Sequence, residues 1–196
     1  FDKFHYFERA PATTIVKSAT KVLTEFKNNS PQPWFLYLHF FDPHSPYDPP
    51  DQFKDMFSGN LKRFNYSQMA LDKINLYDGE ISFFDQQFGL LLQHLKQQDL
   101  YEDTLIVFVS DHGEAFHEHG HGGHGYHLYV EEVRIPLIVK YQSKKGLVDS
   151  VVSLVDVLPT IIESVGLPTM TNLPGVNIFN VEKLNARTGV LSEVYR

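Results

Sequence analysis

The chain has 196 residues, 42% of them hydrophobic and 21% charged, with a formal net charge of −7. That length supports one domain with a real core, and an acidic balance without a basic run argues against nucleic acid as a partner. The absence of cysteine removes disulfides, thiolate nucleophiles and Cys-based zinc sites together.

The chain opens on Phe1-Asp2-Lys3 with no initiator Met, so it reads as a piece of a longer protein. No stretch is long and apolar enough to span a membrane, and the compartment is left open. Pro11 with Thr13 and Thr14 predicts a helix start. Ile15, Val16, Ala19, Val22, Leu23 and Phe26 then follow helical spacing until Asn28 and Asn29. Trp34 to Phe41 is almost continuously apolar and predicts a central strand buried on both faces. It runs into Asp42-Pro43-His44-Ser45-Pro46-Tyr47-Asp48-Pro49-Pro50, whose prolines exclude helix and inner strand. Such a stiff loop can hold His44 with little entropy left to lose; the plainer reading is a proline-rich turn with an exposed histidine.

Residues 51–70 are mixed and polar. Ile74, Tyr77, Ile81, Phe84, Phe88, Leu91 and Leu95 then recur at three- and four-residue steps and predict a long helix. Glu80 and Asp85 on it read as surface or packing-face anchors rather than catalysts. Asp103 and Thr104 open a β-prone run, Leu105 to Val109, that ends in Ser110-Asp111-His112-Gly113-Glu114. A buried strand ending in an acidic, imidazole-bearing loop is where open α/β sheets place their ligands. Asp111 supplies a hard anionic oxygen and His112 a neutral nitrogen, a pair suited to a divalent cation such as Zn, Mn or Ca. Six of the ten histidines lie from His112 to His127, and the interspersed glycines let the backbone fold closely around a ligand. A solvated histidine-rich loop with incidental metal affinity is the alternative. Beyond it, Arg134 to Val139 predicts a strand with Pro136 near its start. Ser153 and Asp156 predict a capped helix carrying Val157, Leu158, Ile161, Ile162 and Val165, stopped by Gly166 and Pro168. Gly189 to Val194 predicts a last strand. The alternation favours an α/β layered domain with a largely parallel sheet.

The order of these segments resembles the sulfatase family of the alkaline phosphatase superfamily. The resemblance is carried by Ser110-Asp111-His112-Gly113-Glu114, Glu118-His119-Gly120, Gly123-His124-Gly125 and Glu131 to Val139. Leu36 to Tyr47, Tyr77-Asp78-Gly79-Glu80-Ile81 and Ser153 to Thr160 extend it. It implies a single partial catalytic domain over residues 1–196, an alkaline phosphatase-like three-layer sandwich lacking its N-terminal part. It implies a metal-dependent hydrolase of sulfate esters acting on a small anionic substrate. Asp111 and His112 match a pair of ligands to one divalent metal, Ca for a sulfatase, with Mn or Zn as other candidates. His44 and His124 match residues that bind the transferring group or assist the leaving oxygen. His39 has a weaker claim to substrate binding and reads as a strand histidine hydrogen-bonded near the core.

The departures matter equally. The family's early Asp pair and its Cys/Ser-x-Pro-x-Arg nucleophile, converted to formylglycine, have no match here. They are expected in the part before Phe1, leaving the 196-residue piece inactive alone. A phosphodiesterase, a phosphonate hydrolase, or a phosphoglycerol or phosphoethanolamine transferase of the same superfamily is the second reading. A degenerate, non-catalytic metal-binding module is the third.

Overall fold

The computed structural model describes residues 3–29, 33–59, 66–142, 144–168 and 170–194. Two compact units form: one of residues up to 102 with 116–120, the other of residues 103–115 with 121 onward.

In the first unit, α1 spans Ala12–Asn29 and packs on α3. Of the predicted apolar stripe, Ile15, Val16, Ala19, Val22 and Leu23 are buried and Phe26 is half-buried, and Ala12 at the first turn is buried with them. Between them the short α2, Asp51–Lys54, buries Phe53. Helix α3 runs over Gln68–Gln97, and its N-cap Ser67 accepts from the Ala70 N–H at 3.3 Å. Phe53 clusters with Ala12 and Phe83, and Phe40 and Phe84 pack against the cluster.

The stripe on α3 departs from its prediction in the middle. Ile74, Leu91 and Leu95 are buried as expected, but Ile81 is 40% exposed. Gly79, Glu80, Phe83 and Gln87 take the inward positions instead. A smooth apolar period cannot reveal this, because the helix there buries groups that meet a polar loop backbone.

Trp34 to Phe41 is also corrected. Trp34, Leu36, Leu38 and Phe40 are half-buried, whereas Phe35, Tyr37 and His39 are exposed, at period two. The segment forms no ladder among the described residues. An apolar run becomes a two-sided strand only where neighbours pair with both its edges.

In the second unit, β1 (Ile106–Val109) pairs antiparallel with β4 (Leu137–Lys140), in a register joining Ile106 to Lys140 and Val109 to Leu137. The two-residue strands β2 (Ala115–Phe116) and β3 (Gly122–Gly123) and the single turn α4 (Val130–Val133) lie between them in sequence. Pro136 immediately precedes β4, where its missing N–H costs no ladder bond. A 3-10 turn, Leu154–Asp156, leads into α5, Val157–Ser164. The Ser153 N–H donates to the Asp156 carboxylate at 2.8 Å, as the capping pattern predicts. Gly166 ends the helix in the left-handed region, at φ 72°. Helix α6, Val181–Asn185, was not foreseen. Gly189 to Val194 forms no strand. The ladder between β1 and β4 is antiparallel, and β2 and β3 form a second, two-residue pair. The predicted parallel sheet is therefore not what β1 and β4 build.

Candidate active site and metal ligands

Strand β1 delivers Ser110, Asp111 and His112 at its carboxyl end, where the chain turns sharply. The Ser110 hydroxyl donates to the His112 carbonyl at 2.6 Å, and the His112 N–H donates to Asp111 Oδ1 at 3.0 Å. Gly113 makes the turn possible. Its N–H donates to the Glu132 carbonyl at 2.7 Å. A Cβ there would lie 2.1 Å from the Glu131 carbonyl oxygen, so any side chain would push this loop off α4.

His112 Nδ1 lies 2.7 Å from the Gly113 carbonyl. A carbonyl only accepts, so Nδ1 carries the proton and Nε2 presents its lone pair in the neutral ring. That nitrogen lies 3.8 Å from Asp111 Oδ2. Two atoms that each bind one divalent ion at about 2.0–2.4 Å sit roughly 3–4 Å apart. Asp111 and His112 therefore fit as two ligands of one cation, with the tautomer set by a backbone acceptor. The Asp111 side chain is 75% exposed and the His112 side chain 40%, so both can be reached. No third imidazole or carboxylate joins them among the described residues.

His124 belongs to the same cluster. Its ring stacks on that of His112 with centroids 3.8 Å apart. Its Nδ1 lies 3.3 Å from Glu114 Oε1, on a carboxylate only 10% exposed. Sequence reading passed over Glu114 and Glu132 as supports. Glu132 is 5% exposed, its Oε2 accepts from the Gly125 N–H at 3.0 Å, and its backbone carbonyl holds Gly113. One buried residue thus ties the turn after His112 to the turn after His124. Its signal was an acidic pair directly before a predicted strand.

His44 and His39 lie in the first unit. The His44 ring stacks on Phe41 with centroids 4.1 Å apart, and its Nδ1 lies 2.6 Å from the Ser45 carbonyl. Nδ1 therefore carries a proton here too. His39 is exposed rather than near the core, with Tyr37 Oη 3.4 Å from its Nδ1. The loop around His44 is fixed at two points. Asp42 Oδ2 accepts from the Ala12 N–H at 2.8 Å, at the first turn of α1. The buried Glu80 on α3 accepts from the His44 and Asp48 N–H groups at 3.0 and 2.8 Å. Burial raises the Glu80 pKa, against the pull of those two N–H groups. Of the two readings of Glu80, surface residue or packing-face anchor, the second holds, while Asp85 is exposed.

The sulfatase family model matches residues 3–167. The chain belongs to the sulfatase family. The matched span holds His39, His44, Asp111, His112 and His124, and ends before α6. An arylsulfatase of Clostridium perfringens is 26% identical over 199 residues, covering 86% of this chain and 41% of its own length. The chain spans well under half of that relative. Two solved structures show the fold. The yidJ protein of Bacteroides fragilis superposes with a TM-score of 0.75 at 23% identity, over 96% of this chain and 44% of its own. The phosphonate monoester hydrolase of Silicibacter pomeroyi superposes with a TM-score of 0.62 at 23% identity, over 86% and 41%. That likeness is consistent with an α/β fold, within which the described residues form two small two-stranded sheets, β1 with β4 and β2 with β3.

Proposed function

We propose that the full-length protein is a metal-dependent hydrolase of sulfate esters, and that this chain supplies two ligands of one divalent metal, Asp111 and His112. The observation that carries this reading is the convergence of Asp111 Oδ2 and His112 Nε2 at 3.8 Å, with His112 Nδ1 held on a carbonyl. Membership of the sulfatase family supports sulfate as the ester. Calcium suits the family, and one carboxylate with one imidazole also suits Mn or Zn. When bound, the metal would neutralise charge on the transferring group and help activate the nucleophile.

His124, steadied by Glu114 and stacked on His112, is read as serving the same anion through its motif. His44 enters the reading through its motif, and His39 with a weaker claim through the same stretch. With Nδ1 held by Ser45, His44 can offer an N–H from Nε2 only as imidazolium. That proton would pass to the ester's leaving oxygen as its bond to sulfur breaks. The chain has no cysteine and no Ser-x-Pro-x-Arg. In this reading the nucleophile, formylglycine included, and the remaining ligands come from residues outside these 196, and the piece alone is inactive.

The test is the full-length Asp111→Ala variant with an aryl sulfate. Turnover should fall on the order of 10²-fold or more, as for loss of comparable electrostatic groups. Undiminished turnover would remove the metal assignment. The phosphonate hydrolase of like fold supports the second reading, phosphoryl or phosphonyl ester chemistry on the same residues. Wild-type preference for a bis-aryl phosphate or phosphonate ester over the aryl sulfate would select it.

A further inference from the structure

Glu80 is the feature that the reading above leaves unexplained. A carboxylate 6% exposed in the middle of a helix is costly, because burial disfavours its charged form. Among the described residues it forms no ion pair that would offset that cost. The charges that act on it are Asp42 and Asp48, both of its own sign. What it does have is the backbone of the loop bearing His44. Oε2 accepts from the His44 N–H at 3.0 Å, and Oε1 from the Asp48 N–H at 2.8 Å. The two oxygens of one planar group thereby set the spacing of two loop residues four positions apart.

Its neighbour Gly79 makes the approach possible. A Cβ at Gly79 would lie 2.7 Å from the Phe53 carbonyl oxygen and 2.9 Å from Pro49 Cγ. The loop therefore sits directly on the helix backbone at this point. The histidine is then fixed from three sides: its N–H by Glu80, its ring face by Phe41 and its Nδ1 by the Ser45 carbonyl.

We propose that Glu80 is a positioning residue, which acts through the backbone of the 42–50 loop to hold the His44 imidazole where it meets the ester. The inference rests on the assignment of His44 to the reaction and adds the group that makes His44 effective. Glutamine in its place keeps the shape but not the function. Its one carbonyl oxygen accepts from one loop N–H, while its NH₂ faces the other donor and pushes it away. Glutamine also removes the buried charge, which offsets the lost hydrogen bond, so the thermal midpoint should change little while catalysis falls. A merely structural clamp predicts the reverse.

The experiment is a double-mutant cycle in the full-length protein with an aryl sulfate, using Glu80→Gln, His44→Ala and the pair, with thermal midpoints alongside. A misplacement of about 1 Å is worth up to about 10²-fold in rate. Glu80→Gln should therefore lower kcat by about 10-fold or more with little change in the midpoint. In the His44→Ala background it should cost nothing further. Wild-type kcat in Glu80→Gln, or a penalty that persists without His44, overturns the inference alone. Wild-type turnover in His44→Ala removes the assignment of His44 and the inference with it. Glu80→Asp keeps both acceptor oxygens on a shorter stem, and gives the same cycle should the glutamine variant fold poorly.

Discussion

At the scale of single residues, the site depends on what backbone carbonyls do to histidine rings. The Gly113 carbonyl takes the proton-bearing nitrogen of His112 and leaves the other nitrogen facing Asp111. If these atoms bind metal as proposed, removing either should weaken metal binding without unfolding β1. In the full-length protein, His112→Ala should weaken metal retention by at least about 10-fold, the lower bound for losing even an outer-shell partner. Metal analysis after dialysis against a weak chelator measures it, and full retention would separate His112 from the metal. Gly113→Ala should lower retention by another route, since its Cβ would meet the Glu131 carbonyl at 2.1 Å. These residues were legible in the sequence because the signal is local: an apolar run, then an acid, an imidazole and a glycine. Glu114 and Glu132 were not legible as supports, and Glu80 was legible only as a surface or packing-face anchor. A carboxylate's sequence context does not say whether its oxygens meet water or a distant N–H. Only the glycine beside Glu80, inside an otherwise strong helix, hinted at a close approach.

At the scale of elements, each unit is organised by a helix with a carboxylate at a strategic point. In the second unit that carboxylate is Asp156, fully buried at the start of α5. It accepts from the Ser153 and Val176 N–H groups at 2.8 and 2.7 Å, and from both ends of the Arg187 guanidinium at 2.7 and 2.6 Å. The capping half of this was readable from Ser153 and Asp156, three residues apart. The other half was not, because Arg187 lies 31 positions on and nothing local marks it. Arg187→Ala should leave a buried carboxylate short of its cation and release the segment that follows α6. The loss should be at least about 2 kcal/mol, somewhat below the fully buried case because Arg187 keeps 13% of its side chain exposed. Urea unfolding measures it. A variant as stable as the parent would show that Ser153 and Val176 suffice.

At the scale of the whole chain, the family was legible from motif order, whereas the sheet was not. Phe35, Tyr37 and His39 form an exposed row in a segment that enters no ladder among the described residues, and β1 and β4 pair antiparallel. Hydrophobicity reports that a segment wants burial; it does not report which strand lies beside it. The charges allow one prediction for the chain as a whole. Burial raises the pKa of Glu80, Asp42 and Asp78. Burial pushes Asp156 the same way, but the Arg187 and backbone hydrogen bonds outweigh it and its pKa is lowered. As pH falls from neutral, the three raised carboxyls take up protons in the folded chain before they do so in the unfolded one, which favours folding. Below about pH 4, the ordinary carboxylate range, the unfolded chain protonates Asp156 first and that contribution is lost. Stability should therefore hold or rise from pH 7 into the weakly acidic range and fall steeply below about pH 4. Thermal midpoints across that interval test it. A midpoint that declines steadily from pH 7 downward would mean that the buried carboxyls on α3 and in the loop before it are ionised at no net cost to the fold.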